Sequence, residues 1–156
     1  MEIVHDPENF GIYVDTLQSD WKKCRRNFSD VVSGWRRLCK DHFDGVISLG
    51  VLDENSSLTG EVLGKKFFVE LSAVVKQSKC YGQAVVVVHF NDGTIAEATR
   101  FLVNRDANVV DDEGKSILDP DSGKGLASML TSIAKVVLEL PRPPRPISFQ
   151  AKKPHV

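Results

Sequence analysis

The sequence has no long apolar run. Its longest, Ala84 to Val88, is five residues, far short of the ~20 that an α-helix needs to span a bilayer. The first ten residues are acidic and lack the basic and apolar regions of a signal peptide. Three cysteines, an odd and widely spaced set, form neither a disulfide framework nor a C-x-x-C pair. These absences predict a cytoplasmic protein with no membrane partner.

Motifs for catalysis and ligand binding are also missing. The stretch "DSGKG" (121–125) lacks the glycine five residues before its Gly-Lys pair, because position 118 is leucine, and Gly125 replaces the Ser or Thr of a phosphate loop. The acidic turns do not follow the spacing of an EF-hand, and no G-x-S-x-G motif is present. We therefore expect no enzyme, no cofactor and no metal.

Two histidines need a second interpretation. His89 ends the apolar run and could line a small-molecule cavity, which would favour an enzyme or carrier. Cys39 and His42 have the spacing of half a zinc site, but no second pair is visible. Ordinary packing explains both positions more simply.

The composition is that of a globular domain. In 156 residues, 42% are hydrophobic and 26% are charged, enough apolar content for one core without staples. Residues 1–140 are predicted to form a single domain. Residues 141–156, which start with "PRPPRP" and contain four basic and no acidic residues, are predicted to form a proline-rich basic tail.

Hydrophobic periodicity predicts an α+β fold. Apolar residues recur at helical spacing from Leu17 to Cys39, which predicts a long helix over 16–42, capped by Asp15 or Thr16. Alternating and β-branched runs follow and predict an antiparallel meander of five or six strands. A second helix over 123–140, capped by Asp121 or Ser122, would pack on the sheet. The run 83–90 is apolar on both faces, which predicts a central strand covered on both sides.

Charge is concentrated in the first predicted helix. Between Trp21 and Lys40 there are seven basic residues and one acidic residue, although the whole chain has a formal charge of -1. On a helical wheel these bases lie opposite the apolar stripe. The candidate partner-binding residues are Lys22, Lys23, Arg25, Arg26, Arg36, Arg37 and Lys40.

The favoured interpretation of this face is a non-enzymatic protein-binding module, such as a small inhibitor, immunity-type or accessory protein, that contacts an acidic protein. A solvated helix face is the simpler alternative. Nucleic acid is a second possible partner for the same face, although the predicted pI is about 6.4 and the basic side has no aromatic residues for base stacking. A homodimer is also compatible with the sequence.

Overall fold

The first helix is longer than predicted. A computed structural model describes residues 1–119 and 123–144, and in it α1 runs from Pro7 to His42. The Asp6 carboxylate caps its start by accepting hydrogen bonds from the backbone N–H groups of Glu8 (3.2 Å) and Asn9 (3.4 Å). The predicted start near residue 16 is therefore wrong. Asp6 caps an earlier start, and Pro7 follows it as the first helical residue, where the fixed φ of proline suits the first turn.

The helix buries one stripe and ends where predicted. It stops at His42, and the Phe43 N–H closes the last turn on the Cys39 carbonyl. Phe28 and Trp35 are almost fully buried and meet edge to face, with ring centroids 5.9 Å apart. Side chains one and two turns apart on this stripe thus face the sheet together, as the 3.6-residue period requires.

Seven antiparallel strands form one curled sheet in chain order, so each strand pairs with the next. The α+β class is as predicted, and the strand count is slightly higher than the five or six predicted. The strands are β1 (Ile47–Leu49), β2 (Ser57–Val62), β3 (Lys65–Lys76), β4 (Lys79–His89), β5 (Ile95–Val103), β6 (Val109–Val110) and β7 (Ser116–Leu118).

Four of the connections use one and the same five-residue turn. In each, the N–H of the first residue bonds to the carbonyl of the fifth, and the N–H of the fourth bonds to the carbonyl of the first. The fourth residue has a positive φ, the pattern of a type I turn followed by a bulge. These turns span Asp53–Ser57, Phe90–Thr94, Asn104–Asn108 and Asp111–Lys115.

The second helix closes the core. Helix α2 runs from Gly123 to Glu139, which agrees with the predicted 123–140; the predicted caps Asp121 and Ser122 lie outside the described residues. It contacts α1 where Gly34 faces Leu126: a Cβ on Gly34 would lie 2.7 Å from a Leu126 methyl group. The Trp35 Nε1–H donates to the Leu126 carbonyl at 3.1 Å, which fixes the crossing of the two helices.

Both helices pack on the same face of the sheet, and one continuous core lies between the helices and the sheet. On β4 the inward side chains Ala84, Val86 and Val88 are fully buried, whereas Val85 and Val87 are only partly buried. The central position of β4 is as predicted. No helix of residues 1–119 and 123–144 packs on its outer face, so the predicted covering of both faces is not found in the described part of the chain.

The described part of the tail is short. Arg142 lies 3.7 Å from an Asp92 carboxylate oxygen, which ties the start of the tail to the β4–β5 turn. The predicted tail residues 145–156 lie outside the described part of the chain. Among the described residues, neither helix is apolar enough over a sufficient length to cross a membrane.

Candidate protein-binding face of helix α1

The seven predicted residues all lie on α1, and each of their side chains is exposed. At about 100° per residue they cover an arc of roughly 160°, centred opposite the buried stripe. The structure therefore brings all seven onto the solvent side of one helix. The acidic residues of this segment, Asp30 and Asp41, lie at the edge of the arc beside Lys23.

The basic face is divided into two clusters. The first comprises Lys22, Lys23, Arg25 and Arg26, and the second comprises Arg36, Arg37 and Lys40. About 15 Å of helix separates Arg26 from Arg36, at 1.5 Å per residue. The small hydroxyl side chains of Ser29 and Ser33 occupy the solvent side between the clusters and are also exposed. Helix α1 thus presents two separate positive regions to a partner.

No residue of either cluster forms an ion pair within residues 1–119 and 123–144. The pairs found there join Lys76 with Asp112, Arg100 with Glu97, Arg105 with Asp20, Lys135 with Glu139, and Arg142 with Asp92. Carboxylates of the described residues therefore do not neutralise the basic face by direct contact. Its positive potential is left to ions in solution or to a partner.

Arg25 differs from the other six. Its Nε–H donates to the Ser56 hydroxyl at 3.0 Å, and its Nη2 donates to the Glu54 carbonyl at 2.6 Å. Arg25 lies at the edge of the arc nearest the sheet, so its side chain reaches the β1–β2 connection. It thereby ties α1 to that loop, and fewer of its five N–H donors remain for a partner.

The second cluster borders a cleft. Arg37 lines a surface cavity of about 230 Å³ together with Asp30, Asp106 and Leu126. This cavity lies between α1, the β5–β6 turn and the start of α2. Because it combines one arginine with two carboxylates, it could receive a side chain of either charge.

Sequence reasoning missed the exposed first part of α1. Phe10, Tyr13 and Val14 lie on the same side of the helix as the buried stripe, yet they are 49%, 41% and 38% exposed. Their spacing of three and four residues before Leu17 was the available signal. This part of the chain, residues 1–16, which we call the arm, was not recognised because Asp15 and Thr16 offered a later and equally acceptable cap.

Comparison of the chain with models of protein families, with curated proteins and with solved structures found no match. The function is therefore argued from this chain's own residues.

The alternative of a cavity at His89 gains no support from the geometry. His89 is exposed, and its ring lies 4.1 Å from the Phe68 ring, centroid to centroid. It lines none of five surface cavities identified among the described residues. Cys80 lies at the opposite end of β4, roughly 30 Å away along an extended strand, so the two cannot act together.

Neither a metal-binding cluster nor a thiol of lowered pKa is found in the described part of the chain. The described residues contain no group of three or more His, Cys, Asp or Glu side chains placed to hold a metal ion. Burial raises the pKa of all three thiols, that of Cys24 to about 12. A thiol with such a pKa remains protonated at neutral pH, and the protonated form is a poor nucleophile and metal ligand.

Proposed function

We propose that this chain is a non-enzymatic protein-binding module that contacts an acidic protein through the basic face of α1. The observation that supports it is the set of exposed bases without an ion pair among the described residues. Maintaining such a concentration of like charge disfavours the folded monomer, because neighbouring bases repel one another. An acidic partner removes that repulsion.

We expect the contact to centre on the second cluster, with support from the residues of the first cluster other than Arg25. Arg36, Arg37 and Lys40 lie within about one and a half turns of helix, where three charges can face one acidic patch. Arginine suits this task because its planar N–H donors pair with carboxylates in bidentate geometry. Electrostatic attraction of this kind speeds association and weakens with added salt.

The test is charge reversal with a matched control. In the first variant Arg26, Arg36, Arg37 and Lys40 become Glu; Arg25 is left intact because its bonds to Ser56 and Glu54 support the fold. In the control variant four exposed lysines away from the α1 face become Glu, giving the same net charge. The control positions are Lys66, Lys79, Lys115 and Lys124.

Each protein is immobilised and exposed to lysate of the native host, with and without nuclease. We expect proteins that survive nuclease treatment to be retained by the wild type and by the control variant, and lost from the α1 variant. Circular dichroism verifies that both variants are folded. Equal retention by the α1 variant and the control variant would refute the proposed surface.

Nucleic acid is the second candidate for the same face, and the observation in its favour is the linear arrangement of the two basic clusters on one helix. Fluorescence anisotropy of single- and double-stranded oligonucleotides decides between the two partners. Because phosphate contacts release counterions, nucleic-acid binding would be strongest at low salt. We expect no binding there, and a salt-dependent complex that the α1 variant abolishes would favour nucleic acid.

A further inference from the structure

An apolar groove opens where α2 leaves part of the sheet uncovered. It has a volume of about 340 Å³ and lies between α2 and strands β5 to β7. Of its ten described lining residues, seven are apolar and none is charged. Met129 and Ile133 are buried in it, whereas Ile117 is 64% exposed, so the groove leads from the core to the surface. Covering such a surface with another apolar group is favourable.

The described part of the chain ends beside one wall of this groove. Helix α2 stops at Glu139, and Arg142 pairs with Asp92 at 3.7 Å. Pro143 and Pro144 line a surface cavity together with these two residues. Asp92 belongs to the turn that leads into β5. Residue 144 therefore lies near the start of β5, the strand that forms the wall.

The groove begins a short distance from that point. Along β5 its first lining residue is Thr99, four residues after Ile95, which is about 13 Å in a strand. Along α2 its last lining residue is Val136, three residues before the helix ends, which is about 5 Å. Residues 145–156 add a further twelve residues, with a reach of about 40 Å when extended. The tail is long enough to enter the groove.

The tail has apolar residues at a matching distance. Ile147 and Phe149 are the third and fifth residues after Pro144, about 10 Å and 17 Å away along an extended chain. Alternate side chains of an extended chain point to the same side, so both can face an apolar wall while Ser148 and Gln150 face water. Phe149 therefore reaches beyond the near end of the groove.

We propose that residues 145–149 fold back into this groove, so that the Phe149 ring packs between Phe101 and Ile133. The tail is favoured over a separate molecule because it is tethered within reach, and a short linker gives a local concentration in roughly the millimolar range. A free ligand or a second copy has to match that concentration to compete. The docked tail closes the opening to the core. This contact lies away from the basic face of α1 and does not depend on the function proposed for it.

Met129 provides a direct measurement of the groove. The sequence contains two methionines, and the other one, Met1, is fully exposed. Labelling the methionine methyl groups with ¹³C in the full chain therefore gives two NMR signals, one of which reports on the groove. We expect Phe149→Ala to shift the Met129 signal, because it removes the aromatic ring that packs there. Gln150→Ala, at the next residue and on the other side of the tail, is the control and should leave the signal in place.

Cleavage by chymotrypsin after Phe149 tests the contact from the side of the tail. Docking protects this bond, and mass spectrometry of the released C-terminal fragment measures its cleavage rate. Ile117→Asp places a charge in the groove and should raise that rate about fivefold or more, because it increases the undocked population. Ile12→Asp, on α1, is the matched control. Ile12 is exposed to a similar extent, 67% against 64% for Ile117, and its substitution should leave the rate unchanged.

The proposal fails if Phe149→Ala leaves the Met129 signal in place or moves it no more than Gln150→Ala does. Equal cleavage rates in the Ile117 and Ile12 variants would also overturn it. A Met129 shift that depends on protein concentration would assign the groove to a second copy and thus contradict docking within one chain. The two basic clusters of α1 are intact in all of these variants, so capture of an acidic protein is tested separately.

Discussion

Cys24 shows how closely α1 approaches the sheet. Its thiol is fully buried, and a Cβ added to Gly82 would lie 2.7 Å from the Sγ atom. The strand can pass beneath the helix only because position 82 carries no side chain. Burial is the main cause that raises the pKa of Cys24 to about 12, and a hydrogen bond from the Gly82 backbone offsets part of the effect.

This buried thiol predicts a loss of stability in alkali. The unfolded chain releases the Cys24 proton near pH 9, whereas the folded chain holds it until about pH 12. Between these values the unfolded state binds fewer protons, so the free energy of unfolding falls as pH rises, by at most ~1.4 kcal/mol per pH unit. Urea unfolding at several pH values, followed by tryptophan fluorescence, measures the slope.

Two variants isolate the contribution of Cys24 from that of other alkaline groups. Cys24→Ala should give a shallower decline between about pH 9 and 12, since the titrating group is gone. Val31→Ala removes similar buried volume without a titrating group and should keep the wild-type slope at lower overall stability. Identical slopes in the wild type and Cys24→Ala would refute the assignment.

At the residue scale, exposure was predictable from the sequence but specific bonds were not. The helical wheel placed all seven bases on the solvent side, where the structure has them. The wheel could not show that Arg25 bonds to Ser56 and Glu54, because those residues follow about 30 positions later in the chain. Such contacts depend on the three-dimensional path of the loop, which local periodicity does not contain.

Among the elements, the β3–β4 hairpin contains an unfavourable turn. Gln77 and Ser78 form its two-residue connection with φ of 51° and 61°. Both residues thus occupy the left-handed region, which a side chain disfavours by roughly 1 kcal/mol or more. Asparagine followed by glycine is the usual choice for such a turn.

Replacing Gln77 by Asn and Ser78 by Gly should therefore stabilise the fold by about 1 kcal/mol, measured by urea unfolding. Ser72→Gly, in the regular part of β3, serves as the control and should lower stability by about 1 kcal/mol, since glycine there only adds freedom to the unfolded chain. An unchanged midpoint for the turn variant would mean that the strands, rather than the turn, set the hairpin's stability.

The elements were predicted with unequal success for a physical reason. Helix α2 and the long strands β3, β4 and β5 have apolar residues at a clear helical or strand spacing, and they lie at nearly the predicted residues. Strand β2 was missed because it lies in a polar, glycine-containing stretch that is typical of a loop, and β7 was missed because its three residues are too few to display alternation. The start of α1 was placed too late because Asp15 and Thr16 offer a cap as acceptable as Asp6, although the apolar stripe continues back to Phe10.

For the molecule as a whole, one core implies one unfolding unit, and the arm lies outside it. A chain shortened to begin at Asp15, whose carboxylate can cap the new helix end, should unfold within about 0.5 kcal/mol of the full chain. No residue before Leu17 is buried. The comparison is made by urea unfolding at a concentration low enough to keep both chains monomeric.

Phe28→Ala shows how large a loss in the free energy of unfolding a core residue causes, for comparison with the truncated chain. Its ring is fully buried against Trp35, and its removal should cost about 3–5 kcal/mol. A truncated chain destabilised to a comparable extent would show that the arm contributes to the core after all, which would contradict its exposure in the monomer.

During synthesis, α1 leaves the ribosome before the strands on which it packs. Helix α1 is complete at His42, but the strand it contacts most, β4, ends only at His89. At ~5–20 residues per second, translation of the intervening ~50 residues takes several seconds. For that interval the nascent chain presents an amphipathic helix without its sheet. The apolar stripe is then open along all of α1, and folding gradually reduces this surface until only the arm remains uncovered.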